Sequence, residues 1–133
     1  MKHHEISEMA LAQLIPAFYA RVRKDPLIGP IFNGAIAHEQ WPEHLKKLRA
    51  FWSSVMLGSG RYEGRPLPVH IALGPALTPA AFERWLALWH ETTGDLLAPA
   101  AAAALQAKAR LIAESLILGI DFHRERQSGG AGA

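Results

Sequence analysis

The chain has 133 residues, enough for one domain that buries a core without staples. Half of them are hydrophobic and 20% are charged, and the formal net charge of +2 is too small and too dispersed to point to nucleic acid. The absence of cysteine excludes disulfides, iron–sulfur clusters, zinc–thiolate sites and thiol catalysis, and suits the reducing cytoplasm expected as its location.

Residues 1–7 are polar and lack the apolar middle of a signal peptide. The first predicted helix runs from about residue 7 to 24, with Ser7 as its N-cap. Leu11, Leu14, Ile15, Phe18, Tyr19 and Val22 fall on one face at helical spacing. Pro16 interrupts that stripe and predicts a kink or a break. Asp25-Pro26 ends the segment. A short link follows, in which Asn33-Gly34 marks a turn.

The second helix starts near Trp41-Pro42, with proline at its first position. Its stripe is Leu45, Leu48, Phe51, Trp52, Val55 and Met56, and Gly58-Ser59-Gly60 stops it. Residues 59–78 are rich in glycine and proline and predict a long loop, with room for one or two helical turns over 68–73. A third helix opens at Thr78-Pro79 and lines its apolar side with Phe82, Trp85, Leu86, Trp89, Leu96 and Leu97. The fourth begins near Pro99 in an alanine run, with Leu105, Ala109, Ile112, Leu116 and Ile120 as its stripe. No segment alternates as a strand would, and no apolar run approaches the ~18 residues that cross a bilayer. The domain is expected over residues 1–122, followed by a disordered tail over 123–133.

Few residues offer chemistry. His70 lies in the long loop between Val69 and Ile71; it reads either as a metal ligand through one ring nitrogen or as a half-buried loop histidine. His44 stands one turn before the second stripe, as a solvated helix histidine or at the edge of a buried face. No pair of histidines sits at i, i+4, which removes a zinc-peptidase reading. Nucleophile-elbow and phosphate-loop patterns are absent from the sequence. Tyr19 and Trp85 fall on buried stripes, where a hydroxyl or indole N–H requires a partner. Trp52 and Trp89 also fall on stripes, Trp41 stands near a helix start, and ordinary core packing accounts for aromatics so placed.

Five segments then occur in order: Ala17-Phe18-Tyr19 with residues 22–25; residues 27–33; residues 41–47 leading into Phe51-Trp52; residues 60–70, ending in Pro68-Val69-His70; and Phe82-Glu83-Arg84-Trp85-Leu86. In this order, covering roughly residues 6–122, the chain resembles the truncated haemoglobins, specifically their third group. The resemblance implies an all-α, two-over-two helical sandwich around a b-type haem, with a shortened proximal-helix region. It implies that His70 is the proximal iron ligand and that Phe32 packs on the haem face. Tyr19, His44 and Trp85 match the distal pocket, and Leu48, Phe51 and Trp52 the haem-lining helix. Phe82 is counted with the cofactor-binding residues, and Lys47 and Arg65 are assigned to the propionates on charge and proximity. Pro16, three residues before Tyr19, departs from the family pattern.

The expected function is reversible binding of O2, NO or CO, serving NO or peroxide redox chemistry rather than bulk oxygen storage. Turnover as an NO dioxygenase or a peroxidase would need a separate reductase, because the chain carries no flavin or nicotinamide motif. A non-catalytic gas sensor or binder and a haem-free helical interaction module are the alternatives. Neither nucleic acid nor membrane is expected as a partner.

Overall fold

The computed structural model describes residues 2–62 and 77–131. His70, Arg65 and the turns expected over 68–73 lie outside the described residues.

Helix α1 spans Glu8–Lys24. Ser7 caps it, its hydroxyl accepting from the Ala10 N–H at 3.1 Å. Pro16 does not divide the helix. An interior proline costs about 3 kcal/mol. Against that, Leu11, Leu14, Ile15, Phe18 and Val22 are all fully buried, and each such burial contributes roughly 1.5–3 kcal/mol. The Pro16 ring itself faces solvent, so packing decides the conformation.

Helix α2 spans Gly29–Ala35, where the sequence predicts only a turn. Its start is built by Asp25, whose carboxylate accepts from the backbone N–H groups of Leu27 and Ile28, each at 3.0 Å. The Asp25 carbonyl accepts from the Gly29 N–H at 2.8 Å, and Pro30 stands in the first turn. Asn33 is held by Arg23, which removes the reason for a turn there: its amide donates to the Arg23 carbonyl at 3.0 Å and its carbonyl accepts from the Arg23 Nε at 3.0 Å. The two helices approach so closely that a Cβ on Gly29 would lie 2.7 Å from the Arg23 carbonyl oxygen, a position only glycine fills without displacement.

A 3-10 turn over His38–Gln40 leads into α3, Trp41–Leu57, with Pro42 in its first turn. Gly58, at φ 66°, ends α3 in the left-handed conformation and donates its N–H to the Ser54 carbonyl at 3.1 Å. Helix α4 spans Pro79–Leu96 and is capped by the Thr78 hydroxyl, which accepts from the Ala81 N–H at 3.2 Å. Helix α5 spans Pro99–Ala131, so the backbone helix runs on beyond Phe122, the boundary read from the sequence.

Among the described residues there is no strand, only an isolated bridge between His3 and Leu97. There the His3 N–H donates to the Leu96 carbonyl at 2.9 Å and the Ala98 N–H to the His3 carbonyl at 2.7 Å. This lays the first residues across the α4–α5 connection.

The helices pack as the expected two-over-two arrangement. Helix α1 meets α2, α3 and α4, and α4 pairs along α5. The main core joins α1 to Trp52 of α3, Leu88 and Trp89 of α4, and Ala102, Leu105 and Ala109 of α5. A smaller cluster of Leu77, Phe82, Ala113, Leu116 and Ile120 closes the far end of the α4–α5 pair. Around Thr92, Thr93 and Trp89 the polar groups of the main core are internally satisfied. Thr92 and Thr93 donate to carbonyls one turn back, and the Trp89 indole N–H donates to the Leu105 carbonyl at 3.1 Å. No helix is long and apolar enough to cross a membrane among the described residues.

Candidate functional site

Helix α1 delivers Tyr19 to the point where α2, α3 and α4 converge. Phe18, one residue earlier, turns into the core and makes edge contacts with Tyr19 at 4.7 Å, Trp85 at 5.6 Å and Trp89 at 4.8 Å between ring centroids. Tyr19 is 4% exposed. Its ring stands 5.8 Å from that of Phe32 on α2 and 6.0 Å from that of Trp41 at the start of α3. His44, one turn further along α3, meets Trp41 edge-on at 5.4 Å. Trp85, Phe32, Leu48 and Phe51 are half-buried and pack against the core from their inner sides. The result is an apolar wall with three polar tips: a phenol, an indole and an imidazole.

Burial pushes the Tyr19 hydroxyl up to about 12, and hydrogen bonding from the Trp85 side chain offsets part of that rise. Tyr19 is therefore a neutral O–H donor across the physiological range. Trp85 supplies donor capacity only, so its N–H favours an oxygen as its partner.

The wall is braced by two polar devices outside it. The first is Asp25, 5% exposed, whose carboxylate also takes the Arg84 Nε at 2.7 Å. Burial alone would raise this carboxyl. The Ile28 N–H, Arg84 and the Leu27 N–H outweigh that effect and hold it below the usual carboxylate range. Asp25 thus ties the start of α2, which carries Phe32, to the α4 turn that carries Trp85. The second is Arg23, which spans α1, α2 and the 3-10 turn through Asn33 and a 3.2 Å contact with His38 Nδ1. Its guanidinium lies 4.6 Å above the Trp41 ring.

The structure brings Tyr19, Trp85, His44 and Phe32 of the sequence-predicted set into one region, while Leu48 and Phe51 pack on the core further along α3, Phe51 beside Trp52 and Tyr62. Lys47 is exposed on α3. Trp52 and Phe82 stand elsewhere. Trp52 is 1% exposed and stacks on Trp89 at 4.4 Å inside the main core, while Phe82 belongs to the smaller cluster at the end of α4 and α5. Both back the helices that carry the wall rather than forming its surface. The sequence reading missed Arg23 and left Trp41 as a helix-start residue. Arg23 follows Tyr19 at i+4, so the same helical spacing that found Tyr19 places it on that face.

Among the described residues no three histidine, cysteine or acidic side chains converge to cage a metal ion. A shallow cleft of about 300 Å³ on α4 and α5 is lined by Glu83, Leu86, Ala87, His90, Gln106 and Arg110 together with Trp89. It shares no residue with the Tyr19 group.

No family model matches the chain. A group 3 truncated haemoglobin, ctb, of Campylobacter jejuni is 44% identical over 94 residues, which are 69% of this chain and 73% of that protein. The crystal structure of a group III truncated haemoglobin from Campylobacter jejuni superposes with a TM-score of 0.82 at 37% identity, covering 87% of this chain and 92% of that one.

Proposed function

The chain belongs to the group III truncated haemoglobins, and from that premise we propose that it holds a b-type haem through His70 and binds O2, NO or CO in a pocket walled by Tyr19, His44 and Trp85. One observation carries the reading: a phenol sealed from bulk water and a half-buried indole, both in edge contact with Phe18, stand beside half-buried apolar side chains of α2 and α3. That donor set fits haem, which requires an apolar slot for its flat ring and hydrogen-bond donors on the ligand side. Haem, when bound, would supply an iron atom able to take a diatomic ligand.

Phe32, Leu48 and Phe51 line the slot and exclude water. Lys47 and Arg65 pair with the propionates at its rim. Trp52 and Phe82 support the wall from the core. Tyr19 donates a hydrogen bond from its hydroxyl to the ligand. The Trp85 indole N–H, which can only donate, is a second hydrogen-bond donor to the ligand. His44, at the exposed end of the wall, controls entry. A hydrogen bond in a dry pocket contributes about 1–2 kcal/mol, roughly a tenfold slowing of ligand release for each. Slow release suits redox chemistry on NO or peroxide better than delivery of oxygen, and such turnover draws electrons from a separate reductase.

The test is the absorption spectrum of the haem-loaded protein beside His70→Ala. A strong Soret band in the wild type, lost or altered in the variant, is the expected result. No band in either, after haem addition, overturns the reading. Consumption of NO in the presence of O2 and a reductant then separates a dioxygenase from a non-catalytic binder.

A further inference from the structure

Trp41 opens α3 and is 2% exposed. Three side chains fix its ring. Tyr19 lies at 6.0 Å, His44 at 5.4 Å and the Arg23 guanidinium at 4.6 Å. The guanidinium is itself immobilised, because its Nε donates to Asn33 and its Nη2 meets His38. Yet the Trp41 indole N–H is buried and has no acceptor among the described residues. Indole nitrogen is a donor and nothing else. Sealing it away unbonded costs its full desolvation, more than a formed hydrogen bond contributes net. Phenylalanine at this position would keep the ring contacts and avoid that cost. The core indole, Trp89, shows the alternative outcome in the same fold, with its N–H bonded to the Leu105 carbonyl.

We infer that Trp41 is a further ligand-binding residue of the pocket: its N–H donates to an acceptor oxygen that arrives with the ligand, either the ligand's own or that of one bridging water. Arg23 is the positioning residue that holds the indole at that angle through the face of its ring. The inference rests on the haem reading above, and it adds a donor that the Tyr19–Trp85 pair does not supply. The class of ligand it favours is a polar diatomic such as O2, which draws charge onto its outer atom, over the weakly polar CO.

The experiment is O2 and CO dissociation from the haem-loaded protein, wild type beside Trp41→Phe, with the C–O stretching frequency of the CO complex. The expected result is O2 release about tenfold faster, CO release changed by less than about twofold, and an intact Soret band. A shifted C–O stretch identifies direct donation, and an unshifted one identifies donation through water. Equal acceleration of both gases marks lost packing and overturns the inference, as does unchanged O2 release. Absence of a Soret band in the wild type defeats the haem reading instead, so the two failures are distinct. Should Trp41→Phe not hold haem, Arg23→Gln leaves the indole in place and removes the flat cation above it. O2-selective acceleration then supports the inference, and any other result overturns it.

Discussion

Trp89 and Trp41 are chemically the same side chain, 0% and 2% exposed, at two ends of one aromatic cluster. Around Trp89 every polar atom has an internal partner, and its ring is stacked on Trp52 at 4.4 Å and Trp85 at 5.9 Å. Around Trp41 the ring is held just as firmly, but the N–H has no acceptor among the described residues. The difference separates aromatic packing that completes a core from aromatic packing that awaits something. Burial does not tell the two apart, because both residues are sealed. The hydrogen-bond inventory does.

The comparison breaks most visibly if the saturated end is disturbed. Trp89→Ala is expected to destabilise the fold by about 3–5 kcal/mol, read as a lowered midpoint in chemical unfolding. A loss below about 1 kcal/mol would mean that the stack is not the keystone of the core. Next comes the brace between the two ends. Asp25→Ala leaves Arg84 and two backbone N–H groups without their acceptor, an expected cost of about 2–3 kcal/mol.

The sign of the accompanying pH effect is determined. The folded carboxyl titrates below its unfolded value. Its stabilisation is therefore present above the unfolded carboxylate range near ~4, and is lost as pH falls through the lowered folded value. Unfolding midpoints from pH 6 down to 2 should show a steeper acid decline in the wild type than in the variant. Parallel declines would remove Asp25 from the account.

At the unsaturated end, Tyr19→Phe should leave folding stability within about 0.5 kcal/mol while speeding O2 release about tenfold. A large stability loss with unchanged gas kinetics would reverse the assignment and make Tyr19 a core residue. The alkaline limb sharpens the same point. The Tyr19 hydroxyl is raised to about 12, so the stabilisation linked to its neutral form is complete below ~10, the unfolded value, and fades as pH rises from there to about 12. Tyr19→Phe should flatten that limb.

Much of this was legible in the sequence. The starts of α1, α3 and α4 were readable from Ser7, Trp41-Pro42 and Thr78-Pro79 because caps and first-turn prolines act locally. Helix α2 was not, because what stabilises it is remote. Arg23 occupies Asn33, and Asp25, itself paired with Arg84 on α4, supplies acceptors to the first turn. Of the kink or break that Pro16 predicts, the break does not occur for the converse reason, since a local penalty is outweighed by long-range packing that spacing alone does not weigh. Tyr19, Phe32, His44 and Trp85 stand in one region because helical periodicity reports faces faithfully. The placement of Trp52 and Phe82 away from that wall depends on how helices cross, which periodicity does not encode. The Trp41 indole, without an acceptor among the described residues, had no sequence signal, because an absent partner becomes visible only when neighbours are in position.

The bridge between His3 and the α4–α5 corner has a practical consequence for handling the molecule. Two main-chain bonds and a 2.7 Å contact between His3 Nε2 and Gln13 make the amino end a latch rather than a loose thread. Trimming residues 2–4 should therefore leave Ala98, whose N–H donates to the His3 carbonyl, exchanging amide hydrogen with deuterium far faster than in the intact chain, while amides at Leu11 to Val22 stay protected. An affinity handle fused directly ahead of His3 pulls on that latch, and one carried on the far end of α5 does not.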